Sequence, residues 1–196
     1  MILGLIGSAG RGDTYAKLDV GVWNKTIKKL VLDFVLEHKI SHIVSGAAAF
    51  ADHLSVQLFL SKKVLSVDKL TLHFPCEFDL TDNKFNEDTK TGQTANYYHK
   101  RFNEKMKPYV SSYSEISEAL SRDECNFTVT PEGFLARNTL VANDCEMILA
   151  LTFGKENVVA DGGTSDTMRK FIKKNGNAAA YHLDLNTNKI YGKACA

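Results

Sequence analysis

Three segments of this sequence place small residues directly after a short apolar run, where a ligand could approach the backbone closely. These segments are residues 7–12, 45–49 and 162–167. Each predicts a strand that turns into a helix. The first free amides of a helix and the positive end of its dipole suit a phosphate or a carboxylate. Because such turns meet at one edge of a parallel sheet, we expect the three to form one ligand site.

Cationic and polar side chains lie in or near these turns. Arg137 is the strongest candidate for a ligand contact, because a planar guanidinium binds phosphate through two parallel hydrogen bonds. Asn138 beside it could bind an amide-like edge, and Arg11 in the first turn offers a second cation for phosphate. Thr164 and Ser165 could donate to phosphate, although such residues also cap helices. The other ligand-binding candidates form the turns themselves and would line the sugar and the base: Gly7, Ser8, Ser45, Gly46, Ala47, Gly162 and Gly163.

Several familiar site motifs are missing from the sequence. The first turn has the form G-x-x-G-x-G, and neither the dinucleotide fingerprint, nor a P-loop, nor a nucleophile elbow occurs. Ser45 has no His base at a defined place. The cysteines show no close pairing that would predict a zinc site or a disulfide, so we expect neither a metal nor a cofactor. They are Cys76, Cys125, Cys145 and Cys195.

The charge balance excludes a large basic surface. The chain has 24 Lys plus Arg against 23 Asp plus Glu, a net charge of +1, so we do not expect nucleic-acid binding. Residues 96–102 mix aromatic and cationic side chains as base-stacking surfaces do. We favour an amphipathic helix there that could cover the pocket. No apolar run approaches the roughly 20 residues of a membrane-spanning helix, and residues 1–4 lack the basic flank of a secretory signal, which predicts a cytoplasmic protein without a membrane partner.

The apolar pattern alternates between strands and helices along most of the chain. Strands are predicted over residues 2–6, 42–44, 70–74, 147–151 and 178–183. Helices are predicted over residues 24–38, 50–60, 96–106, 114–120, 134–143 and 162–174, and a hairpin over 185–191. This alternation is typical of an α/β fold with a mostly parallel sheet. We predict one domain over residues 1–196, with a polar loop at 77–94 inside an insertion at about 77–130.

The order of the motifs resembles that of a known superfamily. Those motifs are Ile6-Gly7-Ser8, Val44 to Asp52, Phe74-Pro75, Arg137-Asn138 ahead of Asn143-Asp144, and Gly162-Gly163-Thr164. In this order the chain resembles the SLOG superfamily over roughly residues 1–75 and 133–184. The resemblance implies a Rossmann-like fold with helices on both faces of the sheet. The superfamily includes LOG-type phosphoribohydrolases, DprA-type single-strand DNA binders and sensors of nucleotide-derived signals.

The resemblance to the LOG-type enzymes suggests residues for chemistry. Those enzymes split the N-glycosidic bond of nucleoside monophosphates with an arginine and with a glutamate in P-G-G-x-G-T-x-x-E. Arg137 matches the arginine, whereas the glutamate position falls on Thr167, next to Asp166. Cleavage through an oxocarbenium-like centre needs a carboxylate nearby. The candidate carboxylates are Asp52, Glu132, Asp144, Asp161 and Asp166. Asp52 could instead stabilise a helix start, and Asp161 could instead bind ribose hydroxyls or shape its turn.

These observations lead to one preferred function and two alternatives. We predict that the protein binds a small nucleotide or a nucleotide-derived ligand at the carboxyl edge of its sheet, and senses or sequesters it. The first alternative is an N-glycosidic-bond hydrolase that uses Arg137 with Asp52, Asp161 or Asp166. The second is a DprA-like single-strand DNA binder, which the near-neutral charge disfavours. Proteins of the superfamily commonly pair through helices, so the resemblance implies a homo-oligomer, with a dimer as the expected form.

Overall fold

The computed structural model describes residues 1–61, 67–160 and 162–196, which form an α/β fold around one large sheet. The strands are β1 Ile2–Gly7, β2 His42–Ser45, β3 Lys69–Phe74, β4 Phe78–Asp79, β5 Lys84–Phe85, β6 Cys125–Val129, β7 Met147–Thr152, β8 Ala180–Asp184 and β9 Lys189–Gly192. The helices are α1 Thr14–Lys17, α2 Val20–Val22, α3 Lys28–Glu37, α4 Leu54–Leu60, α5 Lys90–Met106, α6 Ser112–Leu120, α7 Phe134–Asn143 and α8 Gly163–Asn175. A π-helical turn over Trp23–Ile27 leads into α3.

Seven strands form the main sheet in the order β6-β3-β2-β1-β7-β8-β9. All neighbours pair in parallel except β8 and β9, which form an antiparallel hairpin. The prediction of a separate hairpin over residues 185–191 is wrong, because these residues form the turn and most of β9, which pairs with β8. The strands β4 and β5 pair with each other as a separate small hairpin. A parallel sheet places every strand end on a single edge, which is the condition for the three glycine turns to meet.

Helices cover both faces of the sheet, because the central strands are apolar on both sides. In β1, Leu3 and Leu5 belong to the core cluster beneath α3 to α6, whereas Ile6 belongs to the cluster beneath α7 and α8. In β7, Leu149 belongs to the first of these clusters and Ala150 to the second. Strands buried on both faces are typical of parallel sheets. The prediction of a mostly parallel sheet with helices on both faces is therefore confirmed.

The insertion adds three strands that the sequence analysis did not predict. Between β3 and α7 the chain forms the β4–β5 hairpin, α5, α6 and then β6 at the edge of the main sheet. The hairpin lies inside the segment predicted as a polar loop. Residues 125–129 alternate between apolar and polar side chains as a strand does, a signal that the sequence analysis missed. Only Cys125 of β6 is buried, and Phe127 and Val129 are exposed.

Two helix starts differ from their predicted positions. The helix expected over residues 50–60 begins at Leu54, because residues 50–53 form a turn in which Phe50 has a φ of 62°. Helix α5 begins at Lys90 rather than near residue 96, because the side chain of Thr89 accepts a hydrogen bond from the amide of Gly92 and caps the helix there. The second half of the predicted 77–94 loop is therefore partly helical.

In the described parts of the chain, every helix is too short or too polar to cross a membrane.

A partly buried hydrogen bond joins His53, at the start of α4, to Glu115 on α6. Nε2 of His53 lies 2.7 Å from Oε2 of Glu115, which also accepts from Gln57 at 2.9 Å, while the Ser111 amide donates to Oε1 at 3.0 Å. Burial raises the pKa of Glu115, but these hydrogen bonds outweigh burial and lower the pKa to about 2. The ionised form is therefore the one that the fold stabilises.

We expect the contribution of Glu115 to stability to depend on pH. A carboxyl whose pKa is depressed on folding stabilises the protein above its ordinary pKa, here 4.5, and loses that effect as the pH falls towards 2. Glu115→Gln should lower the free energy of unfolding by roughly 2 kcal/mol at pH 7. Urea unfolding at pH 7 and near pH 2 should show the difference shrinking in acid, whereas the exposed neighbour variant Glu118→Gln should change little at either pH. An equal loss for Glu115→Gln at both would contradict this account.

Candidate functional site at the carboxyl edge of the sheet

A cavity lies where β1, β2 and β7 end and where α7 and α8 begin. Seventeen residues were candidates for the site, and eleven of them line this cavity. The eleven are Gly7, Ser8, Arg11, Gly46, Ala47, Asp52, Arg137, Asn138, Gly162, Gly163 and Thr164. The turns that are far apart in the sequence therefore border one hollow, as parallel topology requires.

Arg137 is buried in the wall of the cavity, although it is a charged residue on a short helix. It lies in the first turn of α7 and is 9% exposed. Its Nη1 donates to the carbonyl of Gly46 at 2.7 Å and its Nη2 donates to Oδ1 of Asn138 at 3.0 Å. Within the described residues, Nε finds no acceptor and the guanidinium makes no ion pair. The charge is thus held by neutral groups.

Gly46 is the residue that makes this position of Arg137 possible. A Cβ at Gly46 would lie 2.5 Å from Nη1 and 2.6 Å from Cζ of Arg137, well inside normal contact. The guanidinium therefore packs directly on the backbone where β2 ends. Gly46 is therefore required by the packing of Arg137 as well as by the turn that follows β2.

Asp52 is the one carboxylate that lines the cavity among the described residues. It is 4% exposed, and its Oδ1 accepts from the amide of Gly7 at 2.9 Å. Burial raises the pKa of Asp52, and the charge of Arg137 and the nearby amides of Gly7, Ala48 and Gly46 offset only part of that rise. We expected Asp52 to lie one turn inside the helix predicted over residues 50–60, but it lies in the turn before α4.

His99 closes the cavity from the insertion and was not predicted as a site residue. Its Nε2 donates to the carbonyl of Ala47 at 3.0 Å, since a carbonyl can only accept, so Nδ1 accepts from Oγ of Ser112 at 3.0 Å. Burial lowers the pKa of His99 to about 3, and the ring is neutral. Ala47 has a φ of 52°, so this hydrogen bond holds a strained turn residue in place.

The start of α8 faces the cavity without a cap. Its N-cap residue is Gly162, with a φ of 124° and no side chain to accept from the first amides of the helix. Gly163 and Thr164 border the cavity next to it. Thr167, which falls at the glutamate position of the LOG-type enzymes, also lines the cavity. Its Oγ1 donates to the carbonyl of Gly163 at 3.0 Å.

Five predicted residues do not line the cavity, and a sixth lies outside the described residues. Glu132 is exposed, and the carboxylate of Asp144 lies 2.9 Å from Nε2 of His73. The carboxylate of Asp166 accepts from Lys170 at 2.8 Å and from Asn138 at 3.1 Å instead of facing the hollow. Ser45 is fully buried and donates to the carbonyl of Leu5 at 2.8 Å. Ser165 is buried inside the start of α8. The position of Asp161 is outside the described residues.

Aromatic residues complete the mouth of the cavity. Tyr98 on α5 and Phe134 at the start of α7 line it, and Cζ of Arg11 lies 5.4 Å and 5.9 Å from the centres of their rings. Thr14 of α1 also belongs to the wall. The mixture of aromatic and cationic residues at 96–102 was the one sequence signal for this wall. Across the described ranges, no three His, Cys, Asp or Glu side chains come together as a metal site would require.

Fold and site together define an α/β protein with a cavity, lined by polar and apolar residues, at the carboxyl edge of a mostly parallel sheet. The chain is similar to the uncharacterized protein R261 of Acanthamoeba polyphaga mimivirus, with 33% identity over 182 residues that cover 88% of this chain and 91% of the viral protein. The chain belongs to the family of this mimivirus protein. No family model and no solved structure matches it.

The packing of Arg137 on Gly46 can be tested by adding a methyl group. Gly46→Ala should lower the free energy of unfolding by about 1–3 kcal/mol, because the guanidinium has to move from a packed position. Gly163→Ala is the matched control: its Cβ would meet only Nδ2 of Asn138, at 3.7 Å, and its stability should stay within about 1 kcal/mol of the wild type. Urea unfolding measures both. Equal stability of the two variants would refute the proposed packing.

Proposed function

We propose that this protein binds a small nucleotide or a nucleotide-derived ligand in the cavity at the carboxyl edge of its sheet, and that it senses or sequesters that ligand. The observation that carries this proposal is the buried guanidinium of Arg137, which has no carboxylate partner among the described residues. An unpaired buried charge costs several kcal/mol. A ligand phosphate beside Arg137 would offset that cost.

The start of α8 supports a phosphate at the same place. Gly162 leaves the first amides of the helix without a side-chain cap, and the dipole of a 13-residue helix favours an anion there. The hydroxyl of Thr164 adds a donor at the cavity wall. In this proposal the phosphate lies between α8 and Arg137, as the resemblance to the SLOG superfamily also implies.

The rest of the cavity suits the sugar and the base of a nucleotide. The turns at Gly7–Ser8 and Gly46–Ala47 carry small side chains, so a ribose can approach the backbone closely. Tyr98 and Phe134 offer ring faces for stacking on a base. Membership in the SLOG superfamily is part of this proposal, and the cytoplasmic location and the homo-oligomeric state stay predictions.

Heat denaturation with added nucleotides tests the proposal. A ligand present at 100 times its Kd stabilises the folded state by about 2.7 kcal/mol, which raises the Tm of a domain of this size by roughly 5–10 °C. Arg137→Gln should abolish the rise with AMP, GMP or their cyclic forms. Arg169→Gln, which removes an exposed cation from the same helix α8, should keep it.

One further variant separates the charge of Arg137 from the shape of its guanidinium. Arg137→Lys retains the charge but not the planar fork, so it should fold and bind more weakly than the wild type. If no nucleotide or cyclic nucleotide raises the Tm of the wild type, the proposal is wrong. It is also wrong if Arg137→Gln and Arg137→Lys bind as tightly as Arg169→Gln.

A second candidate function, cleavage of the N-glycosidic bond of a nucleoside monophosphate, is favoured by Asp52. This carboxyl lines the cavity together with Arg137, and burial raises its pKa towards the range in which a carboxyl acts as a general acid near neutral pH. Asp166 is less suited to that role, because Lys170 and Asn138 already occupy its carboxylate. We therefore assign the acid of this alternative to Asp52.

Release of free base from AMP or GMP tests the alternative. Asp52→Asn should lower the rate by about 100-fold, because the amide cannot deliver a proton but can still accept from Gly7. Asp166→Asn should change the rate by less than about 3-fold, since the substitution leaves the cavity wall intact. Chromatography of the products measures both. The reverse order of effects would exclude Asp52 as the acid, and no release by the wild type would exclude the hydrolase.

A further inference from the structure

We propose that the ligand carries two linked anionic groups, as a pyrophosphate-linked nucleotide does, and that Arg11 with the start of α7 binds the second group. This inference rests on the proposed function and specifies the class of nucleotide. It follows from an excess of positive groups around the cavity over what one phosphate needs.

Arg11 is a second cation at the cavity that the rest of the molecule does not use. It is exposed, it lies in the loop after β1, and its guanidinium contacts the rings of Tyr98 and Phe134 at 5.4 and 5.9 Å. It makes no ion pair with any described carboxylate. A guanidinium that rests on aromatic faces keeps its hydrogen-bond donors available for a ligand.

The two arginines border the same ring and so the same part of the cavity. Cζ of Arg137 lies 5.6 Å from the centre of Phe134, on which Arg11 also packs. Burial lowers the pKa of Arg137, the negative charge of Asp52 raises it in part, and the charge of Arg11 lowers it again. Two like charges this close repel each other unless an anion lies between them. Adjacent phosphates joined by one bridging oxygen are small enough to contact both.

The start of α7 provides a second uncapped helix terminus beside the first. Its N-cap is Gly133, with a φ of 83°, as the N-cap of α8 is Gly162. The two helices, of 10 and 13 residues, pack side by side and begin at the same cavity. The cavity thus has two pairs of positive groups, which are α8 with Arg137 and α7 with Arg11.

The negative charge that the described residues bring to the cavity wall does not balance these groups. Among the described residues Asp52 is the only carboxyl in the wall, and its Oδ1 is already occupied by the amide of Gly7. A phosphate monoester beside Arg137 would leave Arg11 and the α7 terminus without an anion. A second, linked phosphate would satisfy them with little added entropy cost, because it arrives on the same molecule.

Calorimetric titration of the whole chain with AMP, ADP, inorganic phosphate and pyrophosphate tests the inference. ADP should bind at least about 10-fold more tightly than AMP, and pyrophosphate more tightly than phosphate, because each adds charge-assisted hydrogen bonds. Arg11→Gln should bring the affinities for ADP and AMP to within about 3-fold of each other, because the second anionic group then loses its charged partner. Arg101→Gln is the matched control, since Arg101 packs on Tyr15 outside the cavity, and it should keep the wild-type preference.

The outcomes separate this inference from the function on which it rests. If AMP binds as tightly as ADP, or if Arg11→Gln weakens both to the same extent, the second anionic subsite is wrong and the nucleotide site remains. If neither nucleotide nor either inorganic anion binds the wild type, both proposals are wrong. Loss of the ADP preference in Arg101→Gln would show that the preference comes from charge outside the cavity, and it would also overturn the assignment to Arg11.

Discussion

The site depends on one buried cation. Arg137 is held between the backbone of Gly46 and the side chain of Asn138, and the described residues give its Nε no acceptor. Hydrogen bonds to neutral groups place the guanidinium, and the negative charge of Asp52, which makes no ion pair with it, offsets only part of the cost of burying its charge. The burial of this charge lowers the stability of the free protein, and a bound anion would restore that stability. We therefore treat Arg137 as the centre of a ligand site.

Three side chains hold the loops around that charge. Arg137 binds the carbonyl of Gly46, Asp52 binds the amide of Gly7, and His99 binds the carbonyl of Ala47. They come from α7, from the turn before α4 and from α5, so each contact ties a loop to a different element. The loops at the ends of β1 and β2 are therefore positioned before any ligand arrives. Such preorganisation reduces the entropy cost of binding.

The central fold was predictable from the sequence because its signals are local. Five strands of the main sheet are apolar runs, and α7 follows the helical repeat over its full length from Phe134 to Asn143. The edge strand β6 was missed although Cys125, Phe127 and Val129 alternate with polar residues as in a strand. The early start of α5 follows from the cap at Thr89, a signal that we did not use.

The parts of the site that follow from the topology of the sheet were predictable from the sequence. The parts that follow from side-chain packing were not. The glycine turns meet because parallel strands end on one edge. The contribution of Tyr98 and His99 depends on how the insertion folds back over that edge, which spacing along the chain does not reveal. Asp166 and Thr167 show the same limit at a single turn: one residue along a helix rotates the side chain by about 100°, and this places Thr167 in the cavity wall and Asp166 outside it.

The central claim is that the buried guanidinium of Arg137 receives an anionic ligand. Nuclear magnetic resonance of the arginine Nε–H groups observes this directly, because a buried Nε–H exchanges slowly enough to be detected. On titration with AMP, GMP and ADP, the account predicts that at least one nucleotide shifts the Arg137 resonance in a saturable way while the exposed Arg169 stays unchanged. A resonance of Arg137 that none of the three nucleotides moves would contradict it.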